Sequence, residues 1–406
     1  MKKRIHFQRL CRIAVGILLA NCLLVFSASA QTASSTLDVK DYGKFAESYF
    51  QKVWQFYRVP KYGLFSEYYP QKHIDSLTYM QQGAESKEVS YLWPLSGIFS
   101  ATNILMKFPG GKAKYQPFLD SVAFAMEQYR DTTRFPVGYQ AYPSRFEKVD
   151  RYYDDNGLVG IDYCDAYENT RNPVYLQRAK DAFTFILSGW SDDWGGGVTW
   201  LEGHRDQKPA CSNGMATLTA LKLYGVTKDK YYLDWGKKFY DWMKCLRDSS
   251  GIYANDLKTA DGNINKTYYT YNSGSMLEAS VMLYHFTKKK SYLAEAKAIA
   301  EGTYKHFGQI KEGNRMSILD LPWFTTVLFR GYEALYRIDR NPKYINVIKS
   351  NIDYAYKNSR DQYGLFFNNW NGAPEELASA KWFLDENCIV ELYARLELLK
   401  LDKKKK

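Results

Sequence analysis

The sequence predicts an all-α fold in which six helical hairpins close into an (α/α)6 barrel, and three regularities predict it. A tyrosine recurs near the start of six segments of helical periodicity: Tyr42, Tyr115, Tyr175, Tyr232, Tyr292 and Tyr344. A glycine follows each one 19 to 23 residues later, at Gly63, Gly138, Gly197, Gly251, Gly313 and Gly364. A second and more apolar segment then fills the space before the next tyrosine.

The first segment of each unit reads as an outer helix of about four turns stopped by its glycine. Two of them open Asn-Pro-X-Tyr, at Asn172–Tyr175 and Asn341–Tyr344, with proline where a first helical turn tolerates it. The second segments span 89–108, 154–167, 210–224, 273–286, 323–338 and 382–399. Their apolar residues recur at three and four with little polar face, which marks inner helices. No β alternation of any length interrupts the series. Hairpins of this kind bury their apolar faces by closing on one another, and a toroid of inner and outer helices is the economical arrangement. One such domain fills residues 42–400. The inner helices then all start at the same end of the barrel, where a ligand groove forms.

The flanks read differently. Lys2, Lys3, Arg4, Arg9 and Arg12 precede an apolar run from Ile13 to Phe26, and Ala28-Ser29-Ala30 offers a small-residue cleavage site. Residues 1–30 are therefore an expected signal peptide, and the chain is expected to be exported, periplasmic or secreted. Lipoprotein anchoring at Cys22 is the weaker reading, because Asn21 is not the small residue expected before it. Residues 31–41 read as a short disordered lead-in and 401–406 as a solvated lysine-rich tail. No later apolar run is long enough to span a bilayer.

The formal charge of +11 overstates the basicity of the body. Loss of the five signal bases leaves +6, and Lys403–Lys406 account for four of those. A body near +2 gives no reason to expect nucleic acid as a partner. Cys164, Cys211, Cys245 and Cys388 are far apart and lack CxxC spacing, and only His73, His204, His285 and His306 remain to join them. No metal site is expected, and free thiols are. The glycine clusters follow no strand, so no nucleotide or other cofactor is expected. Aromatic residues make up 17% of the chain, with 35 Tyr and 10 Trp. That is more ring surface with polar tips than a core needs, and it suits a cleft that stacks on sugars.

The chemistry concentrates where the inner helices begin. Asp154 and Asp155 stand together in Tyr152–Gly157. Adjacent carboxylates push one pKa upward and so provide a proton donor beside an ionised carboxylate. The structural alternative is a capping acid with a second acid favoured by the helix dipole. Gly195–Trp200 supplies a flexible turn ending in tryptophan, and Ala210–Gly214 and Thr270–Gly274 place small polar residues beside glycine. There Asn213, Tyr271 and Asn272 are expected to hold sugar hydroxyls, and Trp93 or Trp200 to stack on a ring. Ser212, Asn213 and Asn272 also fit as plain helix caps.

Together these segments resemble glycoside hydrolase family 76, the endo-α-1,6-mannanases. The likeness is densest from Tyr152 to Tyr304. It rests on Asp154-Asp155, on Gly195–Trp200, on Ala210–Gly214, and on Asn265-Lys266-Thr267 with Tyr269–Gly274. The resemblance implies an (α/α)6 barrel acting on α-linked mannan by a retaining mechanism, with Asp154 as nucleophile and Asp155 as general acid/base. Neighbouring carboxyls on a helix suit the separation of about 5 to 5.5 Å that retaining enzymes use. The chain departs from the family pattern at Gly157-Leu158, where Ala-Trp is common, and at Trp323–Val327. Two alternatives stay open on the residues: a non-catalytic glycan-binding protein on the same barrel, and a six-hairpin hydrolase acting on another glycan. A monomer is expected.

Overall fold

The computed structural model describes residues 41–71, 88–318 and 320–404; the expected signal and nearly all of the lead-in lie outside them. From Tyr42 onward the described chain contains twelve α-helices. The outer six are α1 Tyr42–Tyr57, α3 Gly111–Glu127, α5 Pro173–Ser188, α7 Lys230–Met243, α9 Lys290–Phe307 and α11 Lys343–Asn358. The inner six are α2 Leu92–Leu105, α4 Tyr153–Thr170, α6 Ala210–Thr227, α8 Thr270–Thr287, α10 Pro322–Asp339 and α12 Phe383–Lys404.

Burial separates the two sets as the sequence pattern requires. α7 buries Tyr232, Leu233, Gly236, Phe239, Tyr240 and Met243 and leaves Lys230, Asp234, Lys238 and Asp241 in water. α6 buries an unbroken run from Ser212 to Leu221. Each inner helix packs on the next, and α12 returns to pack on α2, so the ring is closed. The fold is the (α/α)6 barrel.

The ring is drawn tight by glycine. A Cβ on Gly157 would lie 2.5 Å from Met215 Cβ, and one on Gly274 2.5 Å from Leu328 Cα. α4 therefore approaches α6, and α8 approaches α10, more closely than any side chain would permit.

The two ends of the barrel are built differently. Inner and outer helices are joined by tight turns at Arg171, Lys228, Lys288 and Arg340, each in the left-handed region with φ near +60° and each donating its N–H to a tyrosine carbonyl four residues back. The basic side chain lies over that ring in three cases, Arg171 on Tyr167, Lys228 on Tyr224 and Arg340 on Tyr336. The opposite end carries the long connections, such as 128–152, 189–209 and 244–269.

Those connections correct two expectations. The recurring glycines do not stop the outer helices, which end earlier, at Tyr57 and Met243 for example. They turn the chain beyond the helix, and Gly63, Gly197, Gly251, Gly313 and Gly364 all have positive φ. The apolar stretch after the glycine is then pinned by the next inner helix: Tyr139 N–H by Asn156, Val198 by Asn213, Tyr253 by Ser273 and Phe366 by Glu386. Short strands also form, none longer than five residues, and one sheet has three: β1 Gln207–Pro209, β2 Ala254–Lys258 and β3 Ile264–Tyr268. At the other extreme of the chain, α12 runs on to Lys404 into the segment read as a tail.

Candidate active site

Asp154 and Asp155 occupy the first turn of α4, whose N-cap is Tyr152. The cap side chain makes no hydrogen bond to the helix, so neither aspartate is the capping residue. Asn156 sets the helix start instead. Its Oδ1 accepts Tyr139 N–H at 2.7 Å while its Nδ2 donates to the Tyr139 and Tyr152 carbonyls at 2.8 Å. Both aspartates face a cavity of about 480 Å³ at the long-loop end, with Trp93, Trp200, Tyr271, Trp323 and Phe324 among its walls.

The Gly195–Trp200 turn lays tryptophan over the acids. Gly195, Gly196 and Gly197 have φ of 77°, 126° and 90°, and a Cβ on Gly197 would strike the Trp242 ring at 2.6 Å. The buried Lys208 ammonium holds the turn by donating to the carbonyls of Ser191, Asp193 and Gly196. Tyr153 N–H donates to Trp200 O at 2.9 Å, and Trp200 Nε1 then reaches Asp154 Oδ2 at 3.2 Å.

The two carboxyls sit in unlike surroundings. Burial raises the Asp155 pKa well above the usual carboxylate range, and the charge on Asp154 raises it further. Burial raises Asp154 too, but the Cys211 thiol, the Trp200 indole and backbone N–H groups favour its ionised form and offset part of that rise. Of the two, Asp155 is therefore the more readily protonated and Asp154 the more readily ionised. Asp154 Oδ1 is buried with no hydrogen-bond partner among the described residues.

The inner helices contribute in register. Asp154, Cys211 and Tyr271 each stand three residues before a close-packed glycine, Gly157, Gly214 and Gly274, and all three line the cavity. Cys211 lies close enough to Asp154 and Tyr271 for the three groups to perturb one another, so three successive helices meet at the acid pair. On the next helix Phe324 packs against Tyr271 at a 33° tilt with ring centroids 4.2 Å apart, and Trp93 meets Trp323 edge-on at 5.4 Å.

Of the expected binding residues, Trp93, Trp200 and Tyr271 reach the cavity, and Asn213 and Asn272 do not. Asn213 is fully buried and spent on structure: its Oδ1 accepts Val198 N–H, and its Nδ2 donates to the Val198 and Pro209 carbonyls. It pins the turn that carries Trp200 and is unavailable to a sugar. Asn272 is likewise fully buried and stands behind Tyr271 in sequence without joining the wall. Sequence reasoning missed Tyr152, Gln207, Asn255, Tyr269, Trp323 and Phe324 on the wall. The shared register of the inner helix starts would have found Trp323 and Phe324. Gln207 and Asn255 lie on strands too short to read. All four described cysteines are free thiols. Among the described residues no helix is long and apolar enough to cross a membrane.

An acid pair at the mouth of an aromatic-lined (α/α)6 barrel is an arrangement suited to glycosidase chemistry. The profile of glycosyl hydrolase family 76 matches residues 42–321, and the chain belongs to that family. Similar solved structures include a family 76 mannosidase of Bacteroides thetaiotaomicron, 28% identical with a TM-score of 0.80, covering 90% of this chain and all of that one. Another is a family 76 glycoside hydrolase from a bovine strain of that species, 26% identical with a TM-score of 0.78 over 89% of this chain and 78% of the other. A mannan endo-1,6-α-mannosidase of Saccharomyces cerevisiae is 30% identical over 151 residues, which is 33% of this chain and 34% of that protein. The match thus spans about a third of that relative's length.

Proposed function

We propose that the protein is a retaining endo-α-1,6-mannanase, exported to act on mannan, with Asp154 as nucleophile and Asp155 as general acid/base. The observation that carries this reading is the unlike setting of two adjacent acids on one cavity wall: burial and its neighbour favour the neutral form of Asp155, while Cys211 and Trp200 favour the ionised form of Asp154. A neutral acid can protonate the leaving oxygen while the carboxylate attacks the anomeric carbon. Asp155, having lost its proton, then activates the water that releases the glycosyl-enzyme. The Trp200 indole holds one oxygen of Asp154, which leaves the other to attack. Aromatic faces around the acids exclude water and stack on pyranose rings.

A pure glycan-binding role is the weaker reading, because a binder gains nothing from two desolvated acids that repel each other. The test is incubation of the purified protein with linear α-1,6-mannan, followed as a ladder of oligosaccharides, beside Asp154→Asn and Asp155→Asn. The reading expects mid-chain cleavage by the wild type and loss of at least about a hundredfold in either variant. Binding of the polymer without cleavage returns the protein to the glycan-binding class, and activity surviving in both variants removes the site.

A further inference from the structure

The cavity has a polar wall that the acid pair does not use. Gln207 on β1 and Asn255 on β2 both line it. Successive residues of a strand normally point to opposite faces. Yet Asn255 Nδ2 donates to the neighbouring Asp256 Oδ2 at 2.9 Å. The β2–β3 register shifts between Ala254 and Asp256, and such an irregularity re-aims a side chain. Asp256 is fully buried; its Oδ2 also accepts from Asn265 Nδ2 at 2.8 Å, and its Oδ1 pairs with Lys258 Nζ at 3.0 Å. Lys258 Nζ in turn donates to Gln207 Oε1 at 3.1 Å.

These charges settle which way each amide points. A carboxylate only accepts, so Asn255 gives Asp256 its NH2 group and turns its carbonyl oxygen away. An ammonium only donates, so Gln207 gives Lys258 its carbonyl oxygen and keeps its NH2 group for another partner. Four polar groups in one chain, Gln207–Lys258–Asp256–Asn255, thus carry an amide donor at one end and an amide acceptor at the other. Asn265 anchors the middle, and its own Oδ1 is held by the Thr267 N–H and hydroxyl.

We propose that Gln207 and Asn255 are specificity-determining residues, a donor and an acceptor of fixed polarity for hydroxyls of the bound glycan. Asp256 and Lys258 are positioning residues that lock that polarity. This rests on the glycan-cleaving reading of the same cavity. Amides held by charges need no reorientation when the sugar arrives, and they are left unpaired by a ligand that lacks the matching hydroxyls.

The test measures kcat and KM on α-1,6-linked mannotetraose for Gln207→Glu, Asn255→Ala and Lys258→Met, with thermal melting to confirm the fold. Gln207→Glu keeps the contact to Lys258 and replaces the donor by an acceptor. Hydroxyls away from the scissile bond contribute to substrate binding and transition-state binding alike. KM should therefore rise about tenfold in Gln207→Glu and Asn255→Ala, with kcat within about twofold of wild type. Lys258→Met should raise KM about threefold by freeing Gln207 to rotate. KM within about twofold of wild type in both amide variants overturns the proposal, and so does a fall in kcat at unchanged KM, which would place these residues with the acids. If the wild type cuts nothing, the mannanase reading fails on its own. Calorimetric titration with the same mannotetraose then decides this proposal: affinity about tenfold weaker in the two amide variants supports it, and unchanged affinity overturns it.

Discussion

Helix α12 carries buried acids in two opposite states, and the contrast separates the working end of the barrel from its structural interior. In its first turn, at the long-loop end, burial raises Asp385 to about 7 and Glu386 to about 8. Five residues beyond Glu386, burial would raise Glu391 as well, but Arg330 and Arg395 outweigh it and hold the carboxyl at about 2. Arg330 grips Glu391 with both arms at 2.7 and 2.8 Å, and Arg395 bridges Glu391 to Glu333. Glu391 and Glu333 in the interior are thus paired with arginines. Asp385 and Glu386 make no ion pair with any described residue, and Asp154 and Asp155 share that condition. Buried acids without cations are costly for stability and useful for proton transfer.

The largest expected effect sharpens this contrast. Asp154→Asn or Asp155→Asn should abolish at least 99% of cleavage, as about a hundredfold loss implies. Melting temperature should stay level or rise, because a repelling buried charge is gone; a lowered one would make the pair structural. Arg330→Met should behave in the opposite way. It strands Glu391 as a buried unpaired charge and should cost about 3–5 kcal/mol in urea unfolding, while activity per folded molecule persists. Gly157→Ala probes the seam between the two regions. With its new Cβ against Met215 it should cost about 1–3 kcal/mol and weaken catalysis by shifting the start of α4.

The smallest effect is in the pH dependence. Asp385 and Glu386 have raised pKa values, so their contribution to stability is complete below the ordinary carboxylate range and is lost as pH rises through about 7 to 8. Glu391 is depressed, so its contribution is present above the ordinary range and is lost as pH falls toward about 2. Melting temperature should therefore decline between about pH 4 and pH 8, and the decline should flatten in Asp385→Asn with Glu386→Gln. An unchanged decline in that double variant would assign it to other groups.

The same division explains what could be read from the chain. Helices obey a period of three and four whatever they pack against, so the six hairpins, the ring and the position of Asp154 and Asp155 at its mouth were legible. The tyrosine and glycine repeats were legible too, although the glycines serve turns beyond the helices. The loop end was not, because its strands of two to five residues are held by side chains distant in sequence, as Lys208 holds the carbonyls of Gly196 and Asp193. Asn213 shows the limit most plainly. A small amide beside glycine at a helix start reads equally as ligand or clamp, and only the Val198 backbone decides between them.

The account stands most directly on the stereochemistry of the first product. NMR of linear α-1,6-mannan during the first minutes of cleavage reads the anomer released before mutarotation. Adjacent acids acting as nucleophile and acid/base predict the α-anomer first. The β-anomer first would mean direct attack by water, and would contradict Asp154 as a nucleophile.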